Sequence, residues 1–93
     1  MRAIWNGRVI AESDKTVVVE GRHYFPIASV DPSVLRPSDH HSRCSWKGLA
    51  SYYSLEADGQ VSPDSVFYYP EPSLPARMVT DRVAFWKDVE IRP

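Results

Sequence analysis

The chain of 93 residues has little of the chemistry on which small metal-binding and nucleotide-binding domains depend. Its single cysteine, Cys44, allows neither an intramolecular disulfide nor the multi-thiolate zinc sites of many small β domains. The four glycines are scattered, so no glycine pair forms a phosphate-binding loop. The aspartates are isolated too, and without a D-x-D pair the sequence lacks the adjacent carboxylates that hold magnesium in nucleotidyl transfer.

An excess of charge of one sign and a long apolar run are also missing. The formal net charge is −1 and the basic residues are scattered, so we expect no nucleic-acid partner. The longest aliphatic run, residues 17–19, is far shorter than a signal-peptide core or a membrane span. We therefore expect a cytoplasmic protein with no membrane partner. A chain of this length predicts a single domain, residues 1–93.

The sequence does contain a β pattern throughout. Asn6-Gly7 predicts a hairpin, because both residues tolerate the positive φ of a type I′ turn. Asp31-Pro32 fits an N-cap followed by proline at the first helical position, so one short helical turn is expected near residues 32–35. Strands are predicted at residues 2–5, 8–13, 16–20, 22–25, 49–56, 66–69, 78–80, 82–86 and 89–92. The predicted fold class is all-β and mainly antiparallel, as a small sandwich or open barrel.

Residues 38–53 hold most of the reactive and recognition chemistry of the chain. They contain the only cysteine, two of the three histidines, a Trp-Lys-Gly turn and a pair of tyrosines. Residues 37–45 are predicted to be a polar loop, and long polar loops on small domains often carry function. This segment is therefore the candidate site.

The residues favour binding of a small polar or anionic ligand in a pocket along this segment. Lys47 would supply charge, and Trp46 and Tyr52 would form apolar or stacking walls. Gly48 would let the backbone approach a ligand. The full candidate set is Ser38, His40, His41, Cys44, Trp46, Lys47, Gly48 and Tyr52, together with Tyr24. The competing interpretation is that the aromatic residues form the core and that Lys47 is a solvated cation.

An enzyme that uses Cys44 as a reactive thiol is an alternative. Basic residues and histidines lie close to Cys44 in sequence and would lower its pKa if they met it in space. No Asn, Asp or Glu is clearly placed to orient a histidine, so Cys44 is a candidate catalytic residue without a predicted triad.

A protein-interaction or dimerisation module is the third possibility. Residues 70–75 are rich in proline and predicted to be extended, and a strand edge such as residues 89–92 could pair across a homodimer. Metal binding by His40, His41, Cys44 and a distant His23 lacks the usual ligand spacing. We therefore expect no metal and no cofactor.

An ordered set of short motifs resembles the family called domain of unknown function 427. The motifs are Trp5-x-Gly7, Ile10-Ala11-Glu12-Ser13, Tyr24-Phe25-Pro26, Leu35-x-x-Ser38, Cys44-x-Trp46-Lys47-Gly48-x-Ala50-x-Tyr52-Tyr53, Tyr69-Pro70-x-Pro72 and Val83-Ala84-Phe85. The resemblance implies a small bacterial or fungal β domain with a tent-shaped, Mss4-like arrangement of antiparallel sheets. It brings a nucleotidyltransferase label for some members but no agreed activity. Ser45 stands where the family usually has proline, which restores an amide donor at this turn.

Overall fold

A computed structural model describes residues 1–93 and contains nine strands. The strands are β1 Arg2–Trp5, β2 Arg8–Glu12, β3 Val17–Val19, β4 Arg22–Pro26, β5 Leu35–Cys44, β6 Gly48–Ala57, β7 Gln60–Tyr68, β8 Arg82–Phe85 and β9 Glu90–Arg92. Three short 3-10 helices connect them, at Ile27–Ser29, Pro32–Val34 and Leu74–Val79. None of these helices is long and apolar enough to cross a membrane.

The strands form two antiparallel sheets. The small sheet has the order β2-β1-β9, and the large sheet has the order β3-β4-β8-β7-β6-β5. Every strand pair within them is antiparallel, and neither sheet closes into a barrel. The all-β, antiparallel class predicted from the sequence is therefore confirmed.

Three hairpins are closed by two-residue turns in which both residues have positive φ. Asn6-Gly7 joins β1 to β2, as predicted, and Asp58-Gly59 joins β6 to β7. Glu20-Gly21 joins β3 to β4, with Glu20 at φ +54°. Asn and Asp adopt this conformation more readily than other side chains, whereas glutamate has no such preference. Glu20 is therefore the unusual residue among the three turns.

The main core lies between the two sheets. Trp5 and Ile10 of the small sheet pack with Phe25, Val66 and Phe85 of the large sheet, and all five are almost completely buried. We call the side of the large sheet that carries Phe25, Leu55, Val66, Val83 and Phe85 the covered face. Because side chains alternate along a strand, the neighbours of these residues point to the opposite side of the sheet.

The opposite side, which we call the open face, is only partly covered. It carries Tyr24, Ala84, Phe67 and Tyr52 on four successive strands. The segment of residues 69–79 crosses one end of it, where Ala76 and Val79 pack with Tyr24 and Ala84 in a second, smaller core. Phe67 and Tyr52 lie farther along the sheet and remain half-buried.

Two of the predicted elements are wrong, whereas the predicted helical turn is confirmed. Residues 37–45 are not a loop, because most of them belong to β5, which pairs with β6 from Leu35 to Cys44. Residues 78–80 are not a strand, because they follow or end the helix Leu74–Val79. The helical turn near residues 32–35 is confirmed as Pro32–Val34, with the Asp31 carboxylate accepting the Ser33 backbone N–H at 2.9 Å.

Candidate functional site

The turn between β5 and β6 is held in place by residues 69–79, which we call the crossing segment. The Ser73 backbone N–H donates to the Lys47 carbonyl at 2.9 Å, and its hydroxyl donates to the Trp46 carbonyl at 2.6 Å. Gly48 adopts a φ of +116°, and a Cβ at this position would approach the Glu71 carbonyl oxygen to 3.3 Å. Glycine is thus required both by the backbone conformation and by the close approach of the two segments.

Lys47 is a buried lysine whose ion pair reaches the surface. Only 7% of its side chain is exposed, whereas its partner, the Glu20 side chain, is 60% exposed. The Lys47 Nζ donates to the Glu20 carboxylate and to the Cys44 Sγ, the latter at 3.5 Å. It also lies 4.8 Å from the centre of the Trp46 ring and 5.6 Å from that of Tyr69. The predicted charged residue is therefore present but enclosed, and its carboxylate partner faces solvent.

The pKa values of the pair are consistent with both groups being ionised at neutral pH. Burial acts to lower the pKa of Lys47, but the hydrogen bond to Glu20 and the nearby acidic groups of Tyr69, Tyr24 and Cys44 together outweigh it, so the pKa lies above its ordinary value. The hydrogen bond from Lys47 and its positive charge hold the pKa of Glu20 below its ordinary value. Each charge therefore stabilises the other, and the buried ammonium depends on an exposed carboxylate.

Cys44 lies beside this ion pair in an environment that favours the thiolate. Burial acts to raise the pKa of Cys44, but hydrogen bonds from the Trp46 and Lys47 backbone N–H groups and the Lys47 ammonium together lower it. The Cys44 side chain is partly exposed. Cys44 therefore combines a lowered pKa with a side chain that is partly accessible to solvent.

Two phenols enclose the inner side of the ion pair. Burial raises the pKa of Tyr69 to about 12, despite the nearby positive charge of Lys47. Burial likewise raises the pKa of Tyr24. Both phenols therefore stay protonated at neutral pH, so the site contains one ammonium, one carboxylate and one thiol with a lowered pKa.

A row of aromatic rings leads away from the ion pair across the open face. The ring centres of Tyr24 and Phe67 are 6.1 Å apart, as are those of Phe67 and Tyr52, and His40 lies 4.6 Å from Tyr52. The hydroxyls of Tyr52 and Ser42 share a hydrogen bond of 2.7 Å. The row therefore has an apolar floor with a histidine and two hydroxyls at its outer end.

The structure brings together seven of the nine residues singled out in the sequence. Those on or beside the open face are Tyr24, His40, Cys44, Trp46, Lys47, Gly48 and Tyr52. The other two make contacts elsewhere. His41 points to the opposite side of β5, where its Nδ1 pairs with the Ser51 hydroxyl at 3.2 Å, and Ser38 donates to the Asp64 carboxylate.

Sequence reasoning missed three residues of this site. Glu20, Phe67 and Tyr69 come from other parts of the chain and reach the site only through strand pairing and the crossing segment. Glu20 did leave a signal, since glutamate occupies a turn position that favours Asn, Asp or Gly. No group of three or more His, Cys, Asp and Glu side chains is arranged to hold a metal ion.

Comparison with known protein families identifies the family of this chain. A family model named NTP_transf_9 and described as a domain of unknown function (DUF427) matches residues 1–92. A search of curated proteins finds no significant match. Because the family model spans nearly the whole sequence, the chain belongs to the DUF427 family.

Proposed function

We propose that the protein binds a small polar or anionic ligand on the open face, between His40 and the Lys47–Glu20 pair. The observation that carries this proposal is the half-buried aromatic row, Phe67 and Tyr52, which ends at a buried ammonium. Ligand sites commonly combine such an apolar surface with a few polar groups that fix orientation. A ligand ring would stack on Tyr52 and Phe67, and its polar groups would meet Ser42 and His40.

The arrangement of charges favours a polar or anionic group at the inner end of the row. An ammonium has three N–H donors, and the Lys47 Nζ uses two of them, on Glu20 and Cys44. Arg22 adds a second positive charge, with its guanidinium carbon 5.5 Å from the centre of the Phe67 ring. Because Lys47 is enclosed and already paired with Glu20, the exposed Arg22 is the cation that a ligand anion would contact first.

A thermal-shift screen tests this proposal with defined probes: sugar phosphates, dicarboxylic acids and nucleoside monophosphates. Tyr52→Ala removes the stacking wall without touching the buried lysine, and Leu49→Ala is the matched control, since Leu49 is an exposed residue of the same strand. We expect a probe that raises the melting temperature of the wild type and of Leu49→Ala but not of Tyr52→Ala. The proposal fails if no probe acts on the wild type, or if Tyr52→Ala responds fully.

Thiol chemistry at Cys44 is a second candidate function, favoured by the lowered pKa of this group. A thiolate is the nucleophilic form, so alkylation by iodoacetamide should persist at pH values where an ordinary thiol is protonated. The rate is measured by mass spectrometry against pH, with reduced glutathione as the reference thiol. A pH profile for Cys44 that coincides with that of glutathione would exclude an activated thiol.

A further inference from the structure

A second cleft lies where β7 ends and β8 begins, and Tyr69, one of its bordering residues, also lies beside Lys47. It has a volume of about 200 Å³ and is bordered by Ile27, Tyr53, Tyr68, Asp81, Arg82 and Val83, among others. Tyr53 and Tyr68 directly follow Tyr52 and Phe67 in the sequence, and because side chains alternate they point to the opposite side of the sheet. A ligand stacked on Tyr53 and Tyr68 would therefore lie on the other side of the sheet from Tyr52 and Phe67.

The tyrosine pair gives the cleft a flat aromatic wall. The rings of Tyr53 and Tyr68 are nearly parallel, at 21°, with their centres 4.9 Å apart. Both side chains are only half-buried, although they pack against the main core. Ile27 is 38% exposed, which adds apolar surface at the rim. The cleft therefore presents aromatic and aliphatic surface that the fold leaves uncovered.

Arg82 supplies a cation with an unused hydrogen-bonding edge. Its Nη1 donates to the carbonyls of Met78 and Thr80, at 3.1 and 3.4 Å. Its Nε is shielded from water and has no hydrogen-bond partner. Buried donors are seldom left unpaired, because the desolvated N–H loses its hydrogen bond to water without replacement. The Arg82 side chain borders the cleft, so it would have to turn for this N–H to reach an acceptor there.

We propose that this cleft binds a small aromatic carboxylate, with its ring against Tyr53 and Tyr68 and its carboxylate on Arg82. A guanidinium binds a carboxylate best through two parallel N–H groups, and carbonyls already occupy Nη1, which leaves the edge containing Nε. Asp81 also borders the cleft, but it is exposed, so water screens its repulsion of an anion. The volume suits a ligand of one or two rings.

Isothermal titration with 2-naphthoate and its uncharged analogue 2-naphthamide tests the proposal on the wild-type protein. For a ligand of this size we expect a dissociation constant of about 1 mM, with the acid binding at least about fivefold more tightly than the amide. Amide chemical shifts in NMR spectra locate the probe. We expect the largest changes at the backbone amides of Tyr53, Tyr68 and Arg82.

Two variants test separately the contact of the ligand ring with the tyrosines and that of its carboxylate with Arg82. Arg82→Met and Tyr68→Leu should each weaken 2-naphthoate binding at least about tenfold, whereas Tyr52→Leu, on the open face, should leave it unchanged. If Arg82→Met does not fold, Tyr68→Leu and the acid–amide comparison still decide the question. The proposal is overturned by equal affinity for acid and amide, by no binding at several millimolar, or by chemical-shift changes centred on Tyr52 and Phe67.

Discussion

The two faces of the large sheet use the same strands in different ways. Adjacent residues diverge: Phe25 and Phe85 point into the main core, while Tyr24 and Ala84 point to the open face. The small sheet covers the first face, whereas only residues 69–79 cross the second. The open face also contains the ammonium of the buried Lys47 and the thiol of Cys44, which are polar or reactive groups. The covered face therefore provides most of the hydrophobic core, whereas the open face contains the charged and nucleophilic side chains.

Truncating one phenylalanine on each face tests most directly whether the two faces contribute unequally to stability. Phe85→Ala removes a ring that is 1% exposed from the main core, and we expect a loss of about 3–5 kcal/mol in the free energy of unfolding. Phe67→Ala removes a half-buried ring, so a loss of only about 1–2 kcal/mol is expected. Urea denaturation followed by tryptophan fluorescence measures both. Equal losses would mean that the open face is as much a structural core as the covered one.

Two substitutions of Lys47 distinguish the contribution of its charge to stability from that of its packing, and we expect smaller effects here. Lys47→Ala removes the buried stem and should cost about 2 kcal/mol. Lys47→Met keeps a similar volume and removes the need to desolvate an ammonium, so its stability should stay within about 1 kcal/mol of the wild type. The same denaturation measurement applies. A methionine variant as unstable as the alanine variant would show that the ion pair itself supports the fold.

The smallest effect concerns the dependence of stability on pH. The pKa of Glu20 is lower in the folded protein than its ordinary value of 4.5. The carboxylate therefore stabilises the fold fully above about pH 4.5, and this contribution disappears as the pH falls through the folded pKa. Wild type should be more stable than Glu20→Gln at pH 7, and the two should converge in acid. Thermal melts of both proteins from pH 7 to pH 3 provide the measurement. A constant difference across that range would contradict the assignment.

Much of the fold was predictable because it depends on local chemistry. Asn6-Gly7 and Asp31-Pro32 set their turns through backbone preferences that act within four residues, and both predictions are confirmed. Residues 37–45 were predicted wrongly because their polar composition resembles a loop. β5 is an edge strand with few buried side chains, so its composition carries no apolar alternation, and only its pairing with β6 makes it extended.

The candidate site was predictable in part for the same reason. Cys44, Trp46, Lys47 and Gly48 are adjacent in sequence and form a single turn, so their proximity could be inferred directly. Glu20 lies 27 residues before Lys47, and no local preference relates the two. The burial of Lys47 could not be predicted either, because the crossing segment causes it. The sequence indicated only that this proline-rich segment is extended.

The composition of β5 also bears on whether a further strand could pair with this edge of the large sheet. This ten-residue strand has one side paired with β6, and its other backbone edge would be a template for a further strand. Its register shifts between Pro37 and His41, and proline has no N–H to offer a neighbouring chain. Charged Asp39 and Arg43 lie along the same strand and remain exposed. The polar residues that resemble a loop in sequence are thus of the kind that disfavours the pairing of a sheet edge with a further strand.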